Sequence, residues 1–159
     1  MPLPSHRVWL KRSQLFQMVT DAEAHYPNET GGVLMGYMPS TAETVVTNII
    51  IGGQDEIRTA VSFVPDSRYQ QGIIEAFYKA SGGSFTYIGD WHSHPNGVLA
   101  LSPTDKSTLR RISKCPEARC KLPVMMVIAG RKNWSAGAWL WRPSVPFVGR
   151  PSRAEITLY

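Results

Sequence analysis

Apolar residues recur at helical spacing in three segments of the chain. Residues 14–25 carry them every three or four positions, which predicts an amphipathic helix with Ser13 as its N-cap. A second such run follows Asp66 and ends near Gly82-Gly83. The third covers residues 102–114, and its opening Ser-Pro-Thr-Asp sequence is typical of a helix start.

Short apolar or β-branched runs separate these helices and predict strands. We expect strands at residues 8–10, 33–38, 43–51, 59–64, 85–94, 122–129, 135–141 and 156–159, the last at a sheet edge. Residues 142–153 are rich in Pro, Arg and Ser, and we expect them to be loosely held. Strands mixed with three helices predict an α/β fold in which the helices pack against one central mixed sheet.

Composition limits the class of protein. The 159 residues, 43% of them hydrophobic and 18% charged, predict one folded domain over residues 1–159 rather than a disordered chain. Two cysteines exclude a disulfide-rich scaffold. The first sixteen residues lack an apolar signal-peptide core, and every apolar run is too short to span a bilayer. We therefore expect a soluble, cytoplasmic protein.

The net charge of +5 is concentrated in one segment. Residues 106–132 hold a single acid, Glu117, among eight basic residues: Lys106, Arg110, Arg111, Lys114, Arg119, Lys121, Arg131 and Lys132. This basic face is either a solvated surface or a docking surface for an acidic partner. We find no recognisable nucleic-acid-binding motif, so a nucleic-acid partner is not expected.

The sequence Trp91-His92-Ser93-His94-Pro95 carries the strongest chemical signal. Because side chains alternate along a strand, His92 and His94 lie on one face and Ser93 points away. Two converging imidazoles suit zinc, and a catalytic zinc takes three protein ligands and keeps one position open. Asp105 is the best candidate for the third ligand, because it lies in the first turn of a helix that begins soon after the strand.

A hydrolytic metal site also needs a general base. Glu29 precedes Gly31-Gly32 and a predicted strand, so its carboxylate would lie at the mouth of the sheet. Spacing alone does not select Glu29 over Asp21, Glu23 or Asp90.

The combined pattern resembles that of the JAMM (MPN+) metalloproteases. Their signature is a distant Glu, then H-[ST]-H-P, six residues and S-x-x-D, and the interval from His92 to Asp105 matches it without departure. The resemblance extends to the prokaryotic JAB branch over about residues 29–130. The stretches that carry it are Glu29-Thr30-Gly31-Gly32, Phe63-Val64-Pro65-Asp66, Tyr87-Ile88-Gly89-Asp90-Trp91 and Lys121-Leu122-Pro123.

The resemblance implies a fold and a set of roles. It implies an MPN/JAB-like domain with a cytidine-deaminase-like sandwich, and one Zn²⁺ per chain bound by His92, His94 and Asp105. Glu29 would be the general acid/base, and Ser102 would help to stabilise the oxyanion. The implied activity is cleavage after the C-terminus of a ubiquitin-like protein, by deconjugation or precursor processing. The implied setting is a bacterial ubiquitin-like conjugation or antiphage system with E1-like and E2-like partners.

Several alternatives stay open from sequence. Family members that lack the signature are non-catalytic interaction modules, and a related branch of the fold is associated with DNA processing. Cys115 and Cys120 invite a zinc interpretation, but four residues separate them and no further Cys or His lies nearby, so we expect free or buried thiols. A zinc deaminase is excluded because the histidine pair lacks the H-x-E pattern.

Overall fold

The strands pair into one mixed sheet that closes on itself. The computed structural model describes residues 5–144 and 148–159, and within them seven strands form a barrel in the order β1-β3-β2-β6-β7-β8-β9. Strands β4 and β5 form a separate hairpin. The strands are β1 (Arg7–Leu10), β2 (Gly31–Ser40), β3 (Glu43–Ile50), β4 (Ile57–Thr59), β5 (Ser62–Val64), β6 (Thr86–Pro95), β7 (Val124–Gly130), β8 (Trp134–Ser144) and β9 (Val148–Leu158).

Three helices cover this sheet, as the sequence predicted. Helix α1 (Arg12–His25) contributes Met18 and Ala22 to the cluster inside the barrel. Helix α2 (Ser67–Ala80) packs its apolar side on β2, and α3 (Pro103–Ser113) packs Leu109 against β7 and β8. No helix in the described ranges is long and apolar enough to cross a membrane.

Strand β7 shows why the core needs apolar residues on both faces of the sheet. Val124, Met126 and Ile128 face the cluster inside the barrel, whereas Met125 and Val127 pack under α3. A strand buried on both faces reads as a continuous apolar run rather than an alternating one. This strand pairs in parallel with β6 and therefore fixes the strand that carries the histidines.

A β-bulge at Gly89 sets which side chains of β6 face outward. The register with β2 shifts there, from Tyr87 opposite Met35 to Gly89 opposite Leu34. Gly89 has a φ of +149°, and a Cβ atom on it would lie 1.8 Å from the carbonyl oxygen of Val124. Beyond the bulge Trp91 belongs to the interior cluster, so alternation turns the residues on either side of it toward α3.

The end of the chain differs most from expectation. Residues 142–153 are not loosely held where they are described, because Arg142 pairs with Arg150 and Leu140 with Ser152 in the β8–β9 hairpin. Part of the predicted segment, residues 145–147, lies outside the described residues. Strand β9 also pairs in parallel with β1, so it is not an edge strand. The structure therefore has a barrel, in which β9 joins the two ends of the sheet, in place of the cytidine-deaminase-like sandwich that the resemblance implies.

Two local predictions were also wrong. The expected strand at residues 59–64 is a hairpin of two short strands, in which Thr59 pairs with Ser62. Ser13 does not cap α1, which begins one residue earlier. The N-cap is Lys11, whose backbone N–H donates to Oε1 of Gln14 at 2.9 Å, so a buried glutamine side chain replaces the expected serine.

Candidate metal centre and active site

Two imidazoles from β6 meet outside the barrel. The Nε2 atoms of His92 and His94 are 2.9 Å apart, and the ring centroids are 4.7 Å apart. Nδ1 of His94 lies 3.2 Å from the carbonyl oxygen of Val98. A hydrogen bond from Nδ1 to a carbonyl fixes the tautomer that leaves Nε2 as an electron-pair donor. Both Nε2 atoms therefore point to one place.

Asp105 brings the third donor to the same place. Its Oδ1 atom is 3.1 Å from Nε2 of His92, and its Oδ2 atom is 3.3 Å from Nε2 of His94. The carboxylate is held by the start of α3, where the backbone N–H of Ser102 donates to Oδ2 at 2.8 Å. In return, the backbone N–H of Asp105 donates to Oγ of Ser102 at 3.1 Å. This reciprocal pair is a capping box, and it fixes the carboxylate at the helix N-terminus.

The geometry of the three donors fits a metal ion. Their ligand atoms all lie within 4.8 Å of one another. Ligands about 2.0–2.1 Å from a tetrahedral zinc are separated by roughly 3.3 Å, close to the distances between these atoms. Two imidazole nitrogens and one carboxylate oxygen are also a donor set that zinc accepts. The residues present therefore fit a tetrahedral ion with one position left for water or substrate.

The electrostatics of the cluster favour ionised Asp105. Burial raises the pKa of its carboxyl, but hydrogen bonds from His92 and His94 lower it more, so the pKa lies well below its usual value. The hydrogen bond with the Asp105 carboxylate raises the pKa of His94.

Glu29 lies in the same cavity, which has a volume of about 410 Å³ and is also lined by His92, His94 and Asp105. Burial raises the pKa of Glu29, and the neighbouring histidines oppose that shift. A raised carboxyl pKa suits a group that must accept and then release a proton near neutral pH. Of the acids that spacing left open, Asp21 and Glu23 do not line this cavity, whereas Asp90 does.

A hydrogen-bond pair ties the glutamate segment to the histidine strand. The hydroxyl of Ser93 accepts from the backbone N–H of Thr30 at 3.0 Å, and the backbone N–H of Ser93 donates to the carbonyl of Thr30 at 2.8 Å. Ser93 is completely buried. The serine between the histidines therefore positions Thr30, the residue next to Glu29.

A second set of polar groups supports Thr30 from α1 and the β4–β5 hairpin. Its hydroxyl donates to Oδ2 of Asp21 at 2.7 Å and accepts from Nε of Arg58 at 3.2 Å. The hairpin is held further by the carbonyl of Thr59, which accepts from the backbone N–H of Glu29 at 2.7 Å. Arg58 carries no signal in the sequence, because only the folded hairpin brings it to the site.

The remaining candidates lie outside the cluster. Cys120 is buried with a pKa raised to about 12 by burial, and Cys115 is a partly exposed thiol, so both are free thiols as expected. Neither belongs to a metal-compatible group among the described residues. All eight cations of the basic face are exposed, and Arg111 is the member that also lines the site cavity.

Most of the chain matches one family of prokaryotic proteins. Residues 11–143 match the family described as prokaryotic homologs of the JAB domain. The chain is 42% identical over 135 residues to a Sinorhizobium fredii protein named probable metalloprotease y4qB. That match covers 84% of this chain and 82% of the relative.

More distant relatives have a different name. A Vibrio cholerae protein named CD-NTase/cGAS isopeptidase is 28% identical, over 85% of this chain and 75% of the relative. An Escherichia coli protein of the same name is 30% identical, over 70% and 68%. The solution structure of protein DSY2949 from Desulfitobacterium hafniense superposes with a TM-score of 0.69 at 19% identity, covering 96% of this chain and 92% of that chain. This last likeness shows the fold alone.

The capping box stabilises the start of α3 whether or not a metal ion is bound. Replacing Ser102 by alanine removes the hydroxyl that accepts from the N–H of Asp105, so we expect metal-free Ser102→Ala protein to lose about 1 kcal/mol in its free energy of unfolding. Urea denaturation measures the loss. The matched control is Ser107→Ala, an exposed serine within the same helix, which should change stability by less than about 0.5 kcal/mol. Equal effects at the two positions would contradict the capping role.

Proposed function

The chain belongs to the family of prokaryotic homologs of the JAB domain, and on that premise we propose that it is a zinc-dependent isopeptidase of the JAMM type. Its proposed reaction is hydrolysis of the bond that follows the C-terminus of a ubiquitin-like protein. The observation that carries the proposal is the meeting of His92, His94 and Asp105 in one cavity with Glu29. A complete donor set beside a carboxylate favours this function over a non-catalytic interaction module.

One Zn²⁺ per chain, held by His92, His94 and Asp105, would supply a Lewis acid that acidifies water and polarises a carbonyl group. Glu29 is the group of this chain that moves the proton. Its carboxylate accepts a proton from the attacking water and then donates it to the leaving amine, which completes the acid/base cycle. Its half-buried position keeps it within the cavity where both transfers occur.

Ser102 stabilises the carbonyl oxygen as that oxygen gains negative charge. Its Oγ atom already accepts from Asp105, which uses a lone pair and leaves the hydroxyl proton to donate. A fixed donor aimed at the developing oxyanion contributes more in a partly buried site than in water. The capping box thus gives Ser102 an orientation that needs no rearrangement during the reaction.

The substrate side of the proposal rests on the chain's relatives and on an open strand edge. Relatives named CD-NTase/cGAS isopeptidase support a conjugated protein as the substrate, in an antiphage or ubiquitin-like conjugation system with E1-like and E2-like partners. Residues of β5 line the site cavity, and β5 pairs with β4 alone among the described strands. An extended substrate tail can therefore pair with the edge of β5. We place this reaction in the cytoplasm.

The metal assignment predicts one zinc per purified chain. His92→Ala and Asp105→Ala proteins should each lose it, because two remaining ligands bind zinc far more weakly than three. Elemental analysis after gel filtration measures the stoichiometry, with His25→Ala, a histidine outside the site, as the control that keeps the metal. Zinc retained in both ligand variants would contradict the site.

The base assignment predicts a separation of binding from chemistry. Glu29→Gln protein should keep its zinc and lose about 10²–10⁴-fold in turnover of a ubiquitin-like protein fused through its C-terminus to a reporter. Rates are measured over a panel of such fusions. The chelator 1,10-phenanthroline should stop the parent enzyme. A Glu29→Gln enzyme with parental rates would rule out the proposed base.

A further inference from the structure

Two neighbouring cavities lie between α2 and α3, and we refer to them together as the groove. Beyond the site cavity lies a second cavity of about 690 Å³, between the C-terminal halves of the two helices. Arg111 lines both cavities. Tyr87 lines the second one and donates its hydroxyl to Oδ1 of Asp90, which lines the first, at 3.0 Å. The outward face of β6 therefore forms a common floor.

One side chain in this groove lacks a partner. Gln70 of α2 is only 8% exposed and lines the site cavity. Its Nε2 atom is buried and has no hydrogen-bond acceptor among the described residues. A buried donor without an acceptor is costly, and such groups in native proteins call for an explanation. A main-chain carbonyl of a bound peptide is an acceptor that would satisfy it.

The far end of the groove is apolar enough to hold a large side chain. We refer to it as the anchor cavity, and its apolar walls are formed by Ile74, Tyr78, Tyr87 and Ile112. Its volume falls in the range of ligand pockets. His92 lies five positions after Tyr87 on β6. Since an extended peptide advances by about 3.3 Å per residue, like the strand beneath it, about five residues of a peptide span that distance.

The two sides of an isopeptide bond differ in what they need from the enzyme. The amine side is a single lysine side chain on a folded protein. The carbonyl side is an extended main chain, which needs a groove with donors for its carbonyls. The groove between α2 and α3 fits the second requirement.

We propose that the tail of the substrate lies in this groove, with one tail carbonyl accepting from Gln70 and one large apolar side chain in the anchor cavity. That side chain lies about five residues before the bond that is cut. The inference rests on the proposed function and adds a sequence requirement to it. The tail can still pair with β5 next to the metal, because the anchor cavity lies farther along the groove.

Binding to Glu29→Gln protein tests the anchor cavity without relying on turnover. The probe is a positional-scanning library of fluorescein-labelled decapeptides with free C-terminal carboxylates, followed by anisotropy. One position, four to six residues from the C-terminus, should prefer Leu, Ile, Phe or Tyr over Ser by about tenfold or more in Kd. Adding Ile112→Trp, which fills the cavity, should reduce this preference to less than twofold, as should Ile74→Trp. Adding Phe16→Trp, an exposed residue of α1, should leave it unchanged.

Replacing Gln70 should affect peptide binding in a different way from filling the anchor cavity. Because it binds the main chain, adding Gln70→Leu should raise Kd by about two- to tenfold for every peptide and leave the positional preference intact. Gln17→Leu, an exposed glutamine of α1, is the matched control. Matching thermal midpoints confirm folding, and Gln70→Glu, which keeps the shape but loses the donor, should weaken binding at least as much.

The outcomes separate this inference from the proposed function. Absence of peptide binding, a preference that survives both tryptophan variants, or parental affinity in both Gln70 variants overturns the groove assignment. Peptide binding as described, in a protein whose parent cuts no ubiquitin-like fusion, would overturn the proposed function and leave the groove in place. A parent enzyme that cuts ubiquitin-like fusions, with peptide affinities that none of these substitutions changes, would overturn the groove assignment and leave the proposed function in place.

Discussion

The site depends on the fixed position of β6 between two neighbouring strands. Parallel pairing with β7 and antiparallel pairing with β2 hold His92 opposite Val127 and Gly31. Because alternate side chains of a strand share a face, two histidines two residues apart meet at the distance that a shared ion requires. The bulge at Gly89 then decides which face this is. It turns the histidines toward α3 and Trp91 into the core.

The buried bonds between Ser93 and Thr30 extend this order to the proposed base. They cross from β6 to the residue that follows Glu29, so the carboxylate moves with the histidines rather than with a free loop. Arg58 and Asp21 add support to Thr30 from two other elements. The side chains of the site come from β6, from the start of α3 and from the segment that leads into β2. Hydrogen bonds join these elements into one framework, and catalysis by positioning requires such a fixed arrangement.

The sequence predicted the parts of the molecule whose signals are local. Helix α3 carries its own N-cap, Ser102, and the H-S-H spacing encodes its own geometry, so the meeting of His92, His94 and Asp105 was predictable. Glu29 lies far from the histidines in sequence and was selected through the resemblance to the JAMM metalloproteases. The family match confirms that resemblance, and the role of Glu29 stays a prediction. The closure of the barrel by β9 was missed, because its Pro- and Arg-rich sequence lacks strand periodicity and becomes a strand only through pairing with β1 and β8. Gln70 was missed because its burial depends on how α2 packs.

The central claim is that one zinc ion is bound by two imidazoles and one carboxylate at the start of α3. Anomalous scattering from crystals of the purified protein, recorded on both sides of the zinc absorption edge, tests it most directly. The account predicts one strong peak about 2.0–2.2 Å from Nε2 of His92, Nε2 of His94 and a carboxylate oxygen of Asp105. A zinc peak elsewhere, with these three side chains bound to no metal, would contradict it.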